Sequence, residues 1–254
     1  MGGAAAALAW VYIVGLAAAL VAISFVSLPT AGSGAIAWNV LGDATAVASL
    51  YTMYAAVRHG PVVIVMPICA AQGAVAALLG VAAGETVGVL GAVGIVLTVV
   101  GLYGAMRAPH VDEARADPKA LAYAAASALT AGVGLFASTR AGDSLGTAWT
   151  IASLRTAGVL GVTVPLMLRG GFRLPRRATP FVIFSGLADT GGLASYVWAS
   201  TRAGVIVPAV LGSQYAAVSA LLGMIALGER PTRMQLSGVC AILVGVAIVT
   251  AAQS

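Results

Sequence analysis

Apolar segments of about 20 residues follow one another along almost the whole chain, separated by short polar breaks. A segment of this kind predicts a transmembrane α-helix, whereas the strands of a membrane barrel would alternate apolar and polar residues, a pattern that the sequence lacks. We therefore predict an all-α integral membrane protein of about nine transmembrane helices. They are expected over Ala4–Val26, Ala35–Val57, Pro61–Ala83, Val87–Met106, Ala120–Ser138, Leu145–Leu168, Thr179–Thr201, Val205–Leu227 and Met234–Ala252.

The composition excludes a soluble domain. Hydrophobic residues make up 60% of the 254 residues and charged residues only 8%, whereas soluble domains carry about 25% charged residues. The net charge of +5 comes from small groups of basic residues at the ends of predicted helices, which form no basic face for nucleic acid. Cys69 and Cys240 lie inside apolar segments without the spacing of metal ligands, so the sequence predicts neither a metal site nor a cofactor.

The two halves of the chain share an internal repeat with an offset of 144 positions. The coincidences fall at helix ends and glycines, and they match the second to fourth predicted helices with the seventh to ninth. The longest polar break, residues 107–119, divides a first repeat of four helices (1–106) from a second repeat of five (120–254). The matched positions are Arg58 with Arg202, Gly60 with Gly204, Gly84–Glu85 with Gly228–Glu229, Gly94 with Gly238, and Gly101 with Gly245.

The basic residues predict the orientation in the membrane. If the N-terminus and every second loop share one side, the opposite side holds only Arg140 and Arg202. Basic residues favour cytoplasmic loops, so we predict a cytoplasmic N-terminus and an outside C-terminus in the inner, or plasma, membrane. The basic residues on the predicted cytoplasmic side are Arg58, Arg107, Arg115, Lys119, Arg169, Arg173, Arg176, Arg177, Arg230 and Arg233.

This threading places corresponding loops of the two repeats on opposite sides of the membrane. Gly84–Glu85 falls outside and Gly228–Glu229 inside. Two repeats of the same build and opposite topology are typical of secondary transporters, whose binding site lies near the midplane where the repeats meet. The sequence therefore favours transport by alternating access.

The repeated hairpins resemble the EamA-like family of the drug/metabolite transporter superfamily. The resemblance covers nearly the whole chain and implies ten helices in two repeats of five, with a Gly-Glu pair between the last two helices of each repeat. The chain departs from this pattern because its first repeat has four predicted helices and its C-terminus is predicted outside. An upstream start of the reading frame, or pairing with a second copy or a partner chain, would account for the missing helix. The resemblance is carried by Leu78, Gly84–Glu85, Gly94 and Gly101, and by Leu222, Gly228–Glu229, Gly238 and Gly245.

Three charged residues lie inside predicted membrane helices: Asp43, Arg155 and Asp189. Counted from basic residues on the cytoplasmic side, they are about 22, 21 and 18 Å deep at the helical rise per residue. Such residues face the bundle interior or a wet cavity, and their similar depth, a little beyond the midplane, would allow the three to meet. Arg155 would bind a substrate carboxylate or phosphate, and Asp43 or Asp189 would bind a proton or an amine. The alternative is an Arg155–Asp189 ion pair that only neutralises buried charge.

Polar and aromatic residues are expected at a similar depth. Pro67 and Pro208 would kink the third and eighth helices and make them line the cavity. The alternative for each polar residue is ordinary hydrogen bonding between helices. Glu85 and Glu229 are interpreted as helix caps at their own hairpins. The candidates around the charged residues are Asn39, Tyr51, Gln72, Trp149, Ser195, Tyr196, Ser213, Gln214 and Tyr215.

The sequence thus predicts a secondary transporter, an exporter or exchanger, of a small organic metabolite. Its predicted partners are that substrate and the lipid bilayer, with a homodimer or a partner chain as the further expectation and no nucleic acid. A membrane partner protein that does not itself transport is the alternative. An intramembrane enzyme is disfavoured, because the three charged residues lie too deep for chemistry at the interface.

Overall fold

The computed structural model describes residues 2–60, 65, 68–86, 88–106, 117–170, 172 and 176–212, together with single positions 237, 240, 241, 244, 245 and 248. Every regular element in these ranges is a helix, and they contain no strand. The predictions for Pro67, Ser213, Gln214, Tyr215, Gly228 and Glu229 concern positions outside the described residues.

The described helices lie within or overlap the predicted apolar segments, with bounds of their own. Nine α-helices are described: α1 Gly2–Ile23, α2 Ser33–His59, α3 Gln72–Ala82, α4 Val89–Met106, α5 Pro118–Leu145, α6 Thr147–Gly158, α7 Val164–Leu168, α8 Thr179–Ala203 and α9 Ile206–Gly212. A π-helical segment, Val159–Thr163, joins α6 to α7, and a 3-10 turn, Arg176–Ala178, precedes α8.

Within the described part of the chain, four stretches are long and apolar enough to cross a membrane: Ala6–Ile23, Ser33–His59, Pro118–Leu145 and Thr147–Leu168. Large apolar side chains stand exposed on other helices too, for example Phe181 and Phe184 on α8. Lipid accommodates such side chains, and a helix satisfies its own backbone hydrogen bonds without water. The predicted class, an all-α membrane protein with several spans, is therefore confirmed.

The end of α5 differs from the prediction. A polar break was expected after Ser138, but the helix continues to Leu145, and Gly146 at φ 78° separates it from α6. Arg140 lies within the last turns, with its guanidinium 5.1 Å from the centre of the Phe136 ring. A charged residue can continue a helix when its long side chain lies along an apolar neighbour, so charge alone did not mark the helix end.

The chain forms two compact units, each built from separate stretches of sequence. Unit 1 consists of Met1–Ala48 and Gly134–Ala203. In its described part, α1 packs against both α6 and α8. At the α1–α8 contact, a Cβ on Gly186 would lie 2.9 Å from the Cβ of Val14, so glycine permits the close approach of the two helices. Ala19, Ile151, Ala152 and Val197 form a core where the three helices meet.

Unit 2 consists of Ser49–Val133 and Gly204–Ser254. One cluster of buried residues joins α2, α5 and the residues before α3: Ala56, Val65, Cys69, Ala120 and Ala124. A second cluster joins α3 to α9 through Ala77, Ile206 and Val210. Pro208 lies in the first turn of α9, where its missing N–H removes no bond within the helix. At this position Pro208 breaks no hydrogen bond within the helix, which was the predicted cause of a kink.

The helix from Thr147 to Leu168 contains the π-helical segment just before Pro165. Proline has no N–H to bond the carbonyl four residues earlier and its ring crowds that carbonyl, so a regular α-helix cannot pass through this point unchanged. Widening the preceding turn is one way to accommodate the ring, and such turns are frequent at functional sites. The π-helical segment begins four residues after Arg155.

Candidate functional site

The charged centre of unit 1 is an ion pair between α6 and α8. The Nη1 atom of Arg155 lies 2.7 Å from Oδ2 of Asp189. The two side chains differ sharply in exposure, 3% for Arg155 and 57% for Asp189. A buried guanidinium is therefore held by a carboxylate that other molecules can reach.

Helix α1 forms the surface against which Arg155 lies. A Cβ on Gly15 would lie 3.0 Å from Cδ of Arg155 and 2.5 Å from Oγ1 of Thr190, so only glycine leaves room for both side chains. One turn earlier, the ring centre of Tyr12 is 5.7 Å from Cζ of Arg155, within the range of a cation–π contact. The Tyr12 ring in turn lies against Gly158 of α6. Close packing between α1 and α6 thus fixes the arginine side chain.

The guanidinium retains unused hydrogen-bonding capacity. Nε and Nη2 of Arg155 are buried and have no hydrogen-bond partner among the described residues. An arginine side chain carries five N–H donors in a planar fork that suits carboxylates and phosphates. Buried donors without partners are unfavourable in a medium that lacks water, so an anionic ligand atom would be stabilised there.

A second polar cluster lies between α2 and α6. The Ser153 hydroxyl donates to Oδ2 of Asp43 at 2.5 Å. The Asn39 amide nitrogen donates to Oγ of Ser153 at 2.7 Å and to the same Asp43 oxygen at 3.3 Å. Asn39 and Asp43 are four positions apart and so share one face of α2. All three side chains are half-buried.

The two clusters lie on different faces of α6. Ser153 and Arg155 are two positions apart, and residues at that spacing do not face each other on a helix. Among the described residues no contact joins all three charges, since Arg155 pairs with Asp189 while Asp43 bonds Asn39 and Ser153. A similar depth would allow the three to meet, but depth along a helix axis does not report the direction of each side chain.

The other predicted residues are more scattered. Trp149, half-buried near the start of α6, donates from Nε1 to the carbonyl of Ser27 at 3.1 Å. Tyr196 packs on the core of unit 1, two helical turns beyond Asp189. Gln72 begins α3 in unit 2 and is half-buried. Ser195 is exposed on α8, and Tyr51 is exposed on α2 within unit 2. Gln214 and Tyr215 lie outside the described residues.

Sequence reasoning missed Tyr12, Gly15, Ser153 and Thr190. Each is uncharged, and none stands out in an apolar segment rich in glycine, alanine and hydroxyl residues. The one available signal was the position of Ser153, two residues before a buried arginine. Their roles depend on which helices become neighbours, and a local pattern does not contain that information.

Glu85 has a role in unit 2 that differs from the predicted one. Its carboxylate accepts hydrogen bonds from the backbone N–H groups of Val205, at 3.0 and 2.9 Å, and of Ile206, at 3.3 Å. Glu85 is thus a helix cap, as predicted, but the helix that it caps is α9 and not a helix of its own hairpin. The first N–H groups of a helix lack partners within that helix, so a carboxylate from a distant loop can satisfy them.

The fold and its charged clusters define a multi-pass, all-helical membrane protein with polar sites inside its helical bundle. The sequence profile of the EamA-like transporter family matches residues 118–251, which is more than half of the chain. The chain belongs to the EamA-like transporter family, and the resemblance inferred from the repeated hairpins is confirmed.

Comparison with solved structures supports the fold. A protein whose title reads only "Crystal structure of protein" superposes with a TM-score of 0.75 at 18% sequence identity. The match covers 98% of this chain and 88% of that chain. At such low identity the likeness extends to the fold alone. No curated protein matches the sequence.

Proposed function

We propose that this protein is a secondary transporter, working as an exporter or exchanger, of a small organic metabolite. Membership of a transporter family supports transport as the activity. The observation that carries the proposal is Arg155, a buried arginine inside an apolar helix, two of whose nitrogens have no hydrogen-bond partner among the described residues. A charged group at such a position is unfavourable, and its presence suggests a functional site.

The substrate would bind at the Arg155–Asp189 pair. Its carboxylate or phosphate would accept hydrogen bonds from Nε and Nη2, which have no partner among the described residues. Asp189 is more than half exposed and would contact a basic or hydroxyl group of the same molecule. Gln72, Trp149, Tyr196, Gln214 and Tyr215 complete the proposed set of substrate-binding residues. Asn39 and Asp43 belong to the second polar cluster, which would bind a proton or an amine.

Transport would proceed by alternating access between two repeats of inverted topology. In this proposal the chain has about nine transmembrane helices, with a four-helix repeat at residues 1–106, a connecting loop at 107–119 and a five-helix repeat at 120–254. The protein would lie in the cell membrane with a cytoplasmic N-terminus and an outside C-terminus, as its basic residues favour. A repeat pair of this kind can open a midplane site to either side in turn.

A second candidate is a membrane partner protein that does not transport. The exposed Asp189 side chain favours it, because an accessible carboxylate at the rim of a helix pair could equally meet another copy or another chain. In that case the Arg155–Asp189 pair would serve as an interface contact.

Ligand binding to the purified protein separates these candidates. A panel of small carboxylates, phosphates and amino acids is screened for compounds that raise the unfolding temperature, because a ligand of the native state stabilises it. Hits are then tested for uptake into proteoliposomes. Arg155→Lys and Arg155→Met should reduce both signals, whereas the matched control Arg202→Met, at an exposed helix end, should leave them unchanged. A panel with no hit, and no uptake, would contradict the proposal.

A further inference from the structure

Asp43 differs from Asp189 in its charge balance. Asp189 pairs with Arg155, which is the one ion pair observed among the described residues. Asp43 sits in the same unit, half-buried, and its observed partners are the neutral groups of Asn39 and Ser153. An ionised carboxylate inside a membrane helix is unfavourable unless a cation neutralises it. A positive charge near the Asp43 carboxylate would stabilise it, and the described residues do not supply one.

The hydrogen bonds around Asp43 leave a place for that charge. Both neutral donors point to one oxygen, Oδ2. The side-chain oxygen of Asn39, one helical turn away, is buried and accepts no hydrogen bond from the described residues. An extra proton on the carboxyl group would remove the negative charge and would add an O–H donor to a cluster that has an unused acceptor. The cluster of Asn39, Asp43 and Ser153 thus has one more acceptor than its donors satisfy, which one further proton would correct.

No neighbouring charge takes this role in the described chain. On α6 the nearest charged side chain, Arg155, is engaged by Asp189. On α5, which contacts α2 where Ser138 lies next to Gly42, the charged residues are Arg140, placed over Phe136, and Asp143. The charged or titratable residues Arg58 and His59 stand at the far end of α2, and Tyr51 and Tyr54 precede them. No ion pair is seen between Asp43 and any described residue.

We propose that Asp43, held by Asn39 and Ser153, is a proton-binding site distinct from the substrate site at Arg155 and Asp189. The proposal rests on the proposed transport function. A proton from water on one side would bind the Asp43 carboxylate, and the same proton would be released to water on the other side. Its gradient would then drive the substrate, and no further reactant is needed.

Infrared spectroscopy of the purified protein tests this assignment without any substrate. A protonated carboxyl group has a C=O stretching band that a carboxylate lacks, and the band shifts in heavy water. We expect the wild type to show such a band at a pH at which exposed carboxyl groups are ionised, and we expect the band to decrease as the pH is raised. Asp43→Asn keeps the side-chain size and should lose the band. The double variant Arg155→Met, Asp189→Asn is the matched control, because it removes the other membrane carboxylate without leaving a buried unpaired charge, and it should retain the band. Ser153→Ala also keeps the carboxyl group and should retain the band.

Each outcome bears on the proposal. A band that survives in Asp43→Asn, or a wild type without a band at any pH at which the protein stays folded, would overturn it. Replacing choline chloride by sodium chloride at fixed pH should leave the band unchanged, and its loss would assign the site to sodium ions and overturn the proton assignment. The spectra do not depend on transport. A band from Asp43 together with no uptake of any solute would contradict the proposed transport function. Uptake without the band would contradict only the proposal of a proton site.

Discussion

Both oxygens of the Glu85 carboxylate accept hydrogen bonds from the backbone N–H of Val205, a residue 120 positions further along the chain. Gly204 makes this geometry possible, since its φ of +77° turns the chain just before α9 and a Cβ there would lie 2.7 Å from Oε2 of Glu85. An anion at a helix N-terminus is stabilised by the free N–H groups and the helix dipole. Glu85 thus joins the loop after α3 to the beginning of α9 within unit 2.

Removing the charge of Glu85 should lower stability. Glu85→Gln keeps one acceptor oxygen and loses the charge, whereas Glu85→Ala loses every bond to Val205 and Ile206. Loss of a capping side chain costs about 0.5–2 kcal/mol, and we expect the larger value for the alanine variant. Thermal unfolding of the purified protein measures the effect. The control is Thr86→Ala, at an exposed neighbour in the same loop. Equal stability of Glu85→Ala and wild type would show that these bonds contribute nothing.

Packing of α1 on α6 should depend on glycine at position 158. A Cβ there would lie 2.2 Å from Cε1 of Tyr12, so Gly158→Ala forces the ring or a helix to move. Overpacking of this kind costs about 1–3 kcal/mol. The double variant Tyr12→Ala, Gly158→Ala should recover part of the loss, as the cycle of unfolding measurements would reveal. Gly191→Ala is the matched control, because no atom lies within 4 Å of its added Cβ. Equal stability of the two glycine variants would argue against this helix contact.

The two members of the ion pair should respond differently to substitution. Asp189→Asn leaves a buried guanidinium without its carboxylate, which for buried pairs costs about 3–5 kcal/mol. Arg155→Met removes the buried charge, keeps most of the side-chain volume and leaves a carboxylate that is largely exposed. We therefore expect the unfolding temperature to fall more for Asp189→Asn than for Arg155→Met. The double variant should unfold at a higher temperature than Asp189→Asn. If Arg155→Met instead lowered the unfolding temperature more than Asp189→Asn, groups other than Asp189 would stabilise the Arg155 guanidinium.

Local backbone chemistry was predictable from the sequence where it depends on neighbouring residues. Gly84 and Gly204 lie at ends of predicted helices, and both have positive φ, +92° and +77°. Gly60, which the repeat matches with Gly204, does not have positive φ. Its glycine is required for another reason, since a Cβ there would lie 2.7 Å from the Cβ of Ala120 on α5. Glycine is needed both at helix ends with positive φ and at close contacts between helices. One sequence does not show which of the two reasons applies at a given glycine.

The site was predictable in its charges and less so in its partners. The rarity of charge in an apolar segment singled out Asp43, Arg155 and Asp189, and an Arg155–Asp189 ion pair was one of the two interpretations of the sequence. The separation of Asp43 from that pair depends on the rotation of α2 and α6 about their axes, which hydropathy does not report. The same holds for Glu85, because its partner Val205 is an ordinary apolar residue in the sequence.

The inverted repeat makes a prediction about membrane sides. Single cysteines at Thr86 and Thr232, introduced after Cys69 and Cys240 are replaced by alanine, lie in corresponding hairpins of the two repeats. We expect a membrane-impermeant thiol reagent applied to intact cells to label Thr86→Cys, because the hairpin with fewer basic residues should be outside, and to label Thr232→Cys only after permeabilisation. The parent without cysteines controls for background labelling. Labelling of both positions in intact cells would place the two hairpins on one face and would remove the inverted topology on which alternating access depends.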